Sequence, residues 1–254
     1  MSPLLLGVFF ALGAVAASFA GVLTARLHTG QSFLTGRSRC DACDAPLHPF
    51  SLIPIFSYLA TRGRAHCCHA RLSPFSPGTE LLLGGLFVLA YVQLGLTLAL
   101  PFLLLSLVLL LSLVLYDLSH QILPSPLLAL FVVSSALTGY LLVSSLSDFV
   151  SSAIGALFIA GSLALIHFLS RGRAMGFSDA PLSFGLSILV GPAAFSGFIF
   201  SFWIGAVVGI FILFMRPKGS RMGIEVPFAP FLAAGFLLAY FTQWNPFTLV
   251  AALS

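Results

Sequence analysis

Apolar residues run along this chain in blocks of 15 to 25, with few polar interruptions. That is the length a bilayer asks of a helix: a hydrocarbon core of roughly 30 Å takes about 20 residues. The blocks predict spans near 3–26, 80–99, 101–117, 124–145, 149–170, 178–192, 193–215 and 227–249. Gly191-Pro192 is the break between the sixth and seventh. The sixth is short, which suits a tilted or re-entrant segment. Residues 1–27 have the apolar core of a signal peptide but no basic n-region, and their positive charges follow the apolar run, so this segment reads as a retained span. The fold class that follows is an all-α polytopic membrane protein of about eight transmembrane helices.

Composition agrees. Of 254 residues, 59% are hydrophobic and 7% charged, with mean hydropathy +1.10, whereas soluble domains carry about 25% charged residues. Charge then orients the spans, because Lys and Arg flanking a helix are retained in the cytoplasm. Arg26, Arg37, Arg39, Arg62, Arg64 and Arg71 follow the first span, Arg171 and Arg173 the fifth, and Arg216, Lys218 and Arg221 the seventh. All are odd-to-even connections, so the N-terminus is predicted outside and these loops on the cytoplasmic side. The sequence pI near 9.1 reflects those retention charges; no recognition motif points to nucleic acid.

Residues 28–78 break the membrane pattern. They hold all four cysteines, four of six histidines (His28, His48, His66, His69) and half of the arginines. Three domains are therefore predicted: a first helix at 1–27, a small cytoplasmic Cys/His-rich insertion at 28–78, and a membrane-embedded core at 79–254. Cys40-Asp41-Ala42-Cys43 is a C-x-x-C knuckle, followed by His66-Cys67-Cys68-His69. Two soft-ligand clusters at that separation resemble a structural zinc site of zinc-ribbon type, four ligands holding a fold too small for a large core. A cytosolic location argues against disulfides; the alternative is reduced, unliganded cysteines.

In so apolar a chain, two acids stand out. Asp117 closes the third span and Asp179 opens the sixth, both at predicted cytoplasmic ends. An ionisable group at membrane depth costs about 2.5–3.5 kcal/mol on insertion scales, which makes each a candidate for function. Singly, each has an ordinary reading as a helix-terminal or interfacial residue. Together they suggest an aspartyl pair: one carboxyl keeps its proton while the other deprotonates a water that attacks a peptide carbonyl.

The residues also resemble a known family, the bacterial type IV prepilin peptidases, or leader peptidases. The resemblance runs through Ser18-Phe19 to Arg26-Leu27, Arg37-Ser38-Arg39-Cys40 and Cys43, Ile53 to Leu59, Arg62-Gly63-Arg64, and Leu72 to Pro77 with Glu80-Leu81. Asp117 to Pro124 is similar to the family's D-x6-P element, Gly176 to Asp179 to its G-x-G-D element, and Pro227 to Phe231 to its P-F-G-P-F element. The resemblance implies that Asp117 and Asp179 are the catalytic pair and that the substrate is the basic leader of a pilin-like or pseudopilin precursor. It also implies N-methylation of the new N-terminus with S-adenosylmethionine in many members. Departures are Ala65 for the third cysteine, Gly21 for an Asn, Ser178 for the second Gly of G-x-G-D, Pro181 for a Lys and Ser125 for an Asp or Asn. Any zinc would then take Cys40, Cys43 and Cys68 with Cys67, His66 or His69 as the remaining ligand.

Glu80, Gly176 and Ser178 are candidates for substrate binding, Glu80 through a basic leader or otherwise as a helix cap. His120, three residues from Asp117, reads as a turn histidine and His167 as a packed or snorkelling one; Asp148 reads as a loop acid, and Glu225 carries no assigned chemistry. Gly13 and Gly21 are assigned to helix packing. Two other classes remain: a non-enzymatic assembly partner, and an ion-coupled carrier using the same acids. Against the carrier, both acids map to one face and no polar chain is evident toward the other.

Overall fold

The computed structural model describes residues 2–27, 40, 42–43, 45–46, 53–173, 175–215 and 227–246. His28, Arg37, Arg39, Asp41, His48, Arg216, Lys218, Arg221, Glu225 and positions 247–249 of the last predicted span lie outside the described residues. The described chain is mainly helical, and an isolated β-bridge pairs Arg64 with Arg71. It forms two compact units, Met1–Thr97 and Leu98–Ser254.

The first unit contains α1 (Pro3–Arg26), the short α2 (Phe56–Ala60) and α3 (Phe75–Leu94). Ser2 caps α1, accepting from the Leu5 N–H at 3.4 Å, with Pro3 in the first turn where its missing N–H is harmless. The same tolerance explains why α3 starts five residues before the predicted span: Pro77 falls in its first turn. Gly95, at φ 64°, ends α3 in a conformation that side chains resist. A face of small residues lets α1 and α3 approach closely: a Cβ on Gly13 would lie 2.7 Å from the Leu83 carbonyl oxygen. Nearby, Phe9 and Tyr91 stack with centroids 4.5 Å apart. Gly21 was assigned to packing as well, but among the described residues no atom of another element lies within 4 Å of a Cβ built there, so no close contact seen there requires glycine.

The second unit runs α4 (Leu100–His120), α5 (Ser125–Leu142), α6 (Leu146–Ser170), α7 (Asp179–Val190), a 3-10 turn at Gly191–Ala193, α8 (Ala194–Met215) and α9 (Ala229–Thr242). α4 is its core, with twelve buried residues among 21. α5 packs against both α4 and α7, and α9 against α4, α7 and α8. Phe158, Leu169 and Phe214 face outward, as lipid-facing side chains do. Among the described residues, six helical runs are long and apolar enough to cross a membrane, Asp179–Met215 counting as one run of 37 residues; α9, at 14 residues, is shorter. α7 has 12 residues, about 18 Å at 1.5 Å per residue, well short of a hydrocarbon core.

The interior of this unit is more polar than hydropathy indicates. Ser106, Ser112, Ser134, Ser135, Thr138, Ser183 and Ser187 are all buried in α4, α5 and α7. Most of these hydroxyls donate to a carbonyl of their own helix three or four residues back, which hides them from the apolar surroundings. Hydroxyls satisfied in that way do not make a proton relay. Ser106 also bridges helices, donating to Ser134 Oγ at 2.9 Å.

Candidate functional site

Asp117 lies in the last turn of α4, which Gln121 ends by turning left-handed at φ 55° and returning its N–H to the Asp117 carbonyl at 2.8 Å. Asp179 is the first residue of α7, where a carboxylate suits the positive end of the helix. The tertiary structure brings these distant positions within electrostatic range of each other. Both are buried, at 6% and 7% exposure, although each sits at a helix end.

The neighbours of each acid are mostly backbone. Asp117 lies beside the backbone N–H of Ala229, the first residue of α9. A helix N-terminus carries unsatisfied N–H groups and partial positive charge, so it is a fit partner for a carboxylate. Sequence reasoning missed this contact; its signal was Pro230, a proline of the kind that opens helices, inside Pro227–Phe231. Asp117 Oδ2 is buried and makes no hydrogen bond among the described residues. Asp179 lies beside the Gly176 backbone N–H and within electrostatic range of His167. Ser178 precedes α7 as its N-cap but makes no side-chain cap. A Cβ at Gly176 would meet Asp179 Oδ2 at 3.7 Å, an ordinary contact, so close approach alone does not demand glycine there. The His120 ring packs on Tyr116, centroids 4.4 Å apart.

Glu80 lies in the first unit, 5% exposed. Its Oε2 accepts from the Ile55 N–H at 2.7 Å, and its carboxylate also takes bonds from Ser18 and Ser76. One buried acid thus ties α1, α3 and the segment before α2. Ile55 itself has φ 60° and ψ −50°, the centre of a γ-turn closed by Phe56 N–H to Pro54 O at 2.5 Å. A β-branched residue is strained there, and Glu80 helps to hold it.

The four cysteines of the first unit converge. Their sulfurs all lie within 4.8 Å of one another, Cys40 to Cys68 at 3.8 Å and Cys43 to Cys67 at 3.3 Å. The cluster could bind a metal: a tetrahedron of zinc–sulfur bonds near 2.3 Å has edges of about 3.8 Å. Neither His66 nor His69 joins the cluster among the described residues. The backbone explains why Cys67 serves in place of the cysteine absent at position 65. Cys40 N–H bonds the Ala45 carbonyl at 2.9 Å, and Ala65 N–H bonds the Ala70 carbonyl at 2.8 Å, so Cys40–Ala45 and Ala65–Ala70 are matching turns. Ala65 occupies the place of Cys40, Cys68 that of Cys43, and Cys67 supplies the fourth sulfur from inside the second turn.

These thiols differ in acidity. Backbone N–H groups of Ala42 and Cys43 directed at Cys40 lower its pKa to about 7. Cys67 is pushed up to about 12, because its thiol is hydrogen-bonded with Cys43 and Cys40. Cys68 lies beside the Ala70 backbone, which favours its thiolate, yet desolvation and the neighbouring thiols hold it above the ordinary value.

Comparison with known proteins extends these observations. Residues 11–94 match the Bacterial Peptidase A24 N-terminal domain. The chain is 30% identical over 237 residues to a prepilin leader peptidase/N-methyltransferase of Bacillus subtilis (strain 168), covering 93% of this chain and 94% of that protein. It is 29% identical over 217 residues to one of the same description from Legionella pneumophila, covering 81% and 72% of the two chains. A third, from Myxococcus xanthus (strain DK1622), is 35% identical over 122 residues, or 48% of this chain and 36% of its own. No solved structure matches.

Proposed function

We propose, on the premise that this chain belongs to the prepilin leader peptidase/N-methyltransferase family, that Asp117 and Asp179 form its catalytic pair. The substrate is the basic leader of a pilin-like or pseudopilin precursor, cut on the cytoplasmic side of a bacterial inner membrane. The distribution of Lys and Arg supports that orientation, with the N-terminus outside. The observation that carries the reading is two buried carboxyls within electrostatic range of each other, with Asp117 Oδ2 free of any hydrogen bond among the described residues.

Two carboxyls so placed share one proton in a desolvated site. The ionised member takes a proton from water as the water oxygen attacks the scissile carbonyl carbon. The protonated member hydrogen-bonds the developing oxyanion. The tetrahedral intermediate collapses with cleavage of the C–N bond, and a carboxyl delivers the proton to the leaving amine. The Ala229 N–H, at a helix N-terminus, holds Asp117 in place without competing as a base. No step requires a metal.

The four cysteines are a structural zinc site in this reading, supported by the thiol donor set and its spacing. Zinc there would staple the turns that carry Cys40, Cys43, Cys67 and Cys68. The relatives' description also names N-methyltransferase activity, so transfer from S-adenosylmethionine to the new N-terminus is the second activity proposed. Among the described residues no glycine-rich loop leads into a helix to cradle that cofactor, and no step is assigned to it. Glu80, Gly176 and Ser178 remain candidates for substrate binding; Glu80 would act indirectly, through the elements it ties together.

The test is cleavage of a panel of pilin-like precursors by the purified protein in lipid, beside Asp117→Asn and Asp179→Asn. Loss of cleavage in both variants supports the dyad; cleavage that survives either substitution removes it.

A further inference from the structure

We propose that His167 is a positioning residue for Asp179, acting through the single peptide unit that joins Met175 to Gly176; this rests on the catalytic reading of Asp179. His167 Nδ1 lies 2.9 Å from the Met175 carbonyl oxygen. A carbonyl oxygen only accepts, so Nδ1 carries the hydrogen, and the neutral ring is the Nδ1–H tautomer with its lone pair on Nε2. The N–H on the other edge of that peptide unit belongs to Gly176, and it lies beside the Asp179 carboxylate, whose Oδ2 is 3.7 Å from the place of a Gly176 Cβ. A peptide group is planar and rigid. Holding its carbonyl edge therefore aims its N–H edge, and the aim decides where the Asp179 carboxylate rests.

The rest of the loop is organised around the same residue. α6 ends in a paired cap in which Gly172 N–H returns to the His167 carbonyl at 2.9 Å and Arg171 N–H to the Phe168 carbonyl at 3.2 Å, with Arg171 left-handed at φ 53°. The backbone of His167 thus anchors the start of the connection to α7, and its side chain anchors the end. Phe177, two residues before Asp179, packs edge-on against the His167 ring at 5.6 Å and near Phe168 at 5.9 Å. A histidine serving only as apolar filler needs none of these paired contacts.

Three variants separate hydrogen bond, ring and charge. His167→Phe keeps a ring and loses the donor, His167→Ala loses both, and His167→Asn restores an N–H donor near the place of Nδ1 without charge. With a cleavable precursor, kcat is expected to fall roughly 2- to 10-fold in the Phe variant, the worth of one hydrogen bond, with KM unchanged and kcat recovered in the Asn variant. Nitrogen NMR of histidine-labelled wild-type protein reads the tautomer independently of activity. The proposal is overturned by an Nε2–H tautomer, by a Phe variant with wild-type kcat, or by an Asn variant as slow as Phe. Its failure is distinct from failure of the dyad, in which Asp179→Asn itself would leave cleavage intact.

Discussion

Gly235 in α9 is the position at which one methyl group is expected to do most damage to the site without touching it. A Cβ there would overlap the N and Oγ of Ser201 on α8 and lie 2.6 Å from its Cα. Two of those atoms are backbone, so no rotamer change relieves the clash; the helices must part by about 1 Å to reach ordinary carbon–carbon separations. Alanine brings a helix-propensity gain of about 1 kcal/mol, set against overpacking that costs about 1–3 kcal/mol or more when backbone must move. The parting also stretches the bond from Ser201 Oγ to the Leu232 carbonyl, already 3.4 Å. A net loss of up to about 2 kcal/mol corresponds to a Tm drop of up to roughly 8 °C for a chain of this size. The consequence for chemistry is larger, because α9 presents the Ala229 N–H to Asp117. Misplacement by about 1 Å can cost on the order of 100-fold in rate. Gly209→Ala on α8 is the control: no atom lies within 4 Å of its Cβ, so the propensity gain stands alone. Thermal unfolding and precursor cleavage of the two variants, measured in the same lipid, decide the matter. If Gly235→Ala melts at or above Gly209→Ala and turns over normally, the close approach of α8 and α9 does not hold the site.

Zinc retention should depend steeply on acidity. Cys67, near 12, and Cys68, above the ordinary thiol value, are protonated at pH 8, so binding displaces at least two protons there. The apparent affinity should fall about 100-fold or more per pH unit, and more steeply below pH 7, where Cys40 is also protonated; chelator competition at pH 6, 7 and 8 measures it, and pH-independent retention would exclude thiolate ligation. Cys67→Ser should lose the metal faster than His69→Ala, which removes a side chain outside the sulfur cluster. Glu80→Ala strands the Ile55 N–H and should destabilise the first unit by about 1–3 kcal/mol, visible as faster proteolysis near Ile53–Thr61. Ile55→Gly should be neutral or stabilising in the same assay, since glycine accepts φ 60° without strain; marked destabilisation would show that the turn is not strained.

Much of this molecule was legible one residue at a time. Apolar block length determines helices in a solvent that cannot satisfy backbone groups, so α1, α4, α5, α6 and α8 fall close to the predicted spans. Gly191-Pro192 marks the break before α8 for the same local reason: proline ends helices and glycine turns left-handed, here at φ 66°. The acids declared themselves because an ionisable side chain in apolar surroundings is costly wherever it lies. What required the fold was every relation between distant backbones. The Ala229 N–H on Asp117, the two-edged peptide between His167 and Asp179, and the substitution of Cys67 for a cysteine at position 65 depend on hydrogen-bond directions. Residue type does not encode those directions. The buried serines were missed for a related reason: a hydroxyl bonded to its own helix counts as polar in composition and as satisfied in the structure. Sequence alone singled out the groups proposed to carry chemistry and determined that the chain lies in a membrane; tertiary structure decided which backbone atoms lie beside those groups, because that is set by packing between helices far apart in the chain.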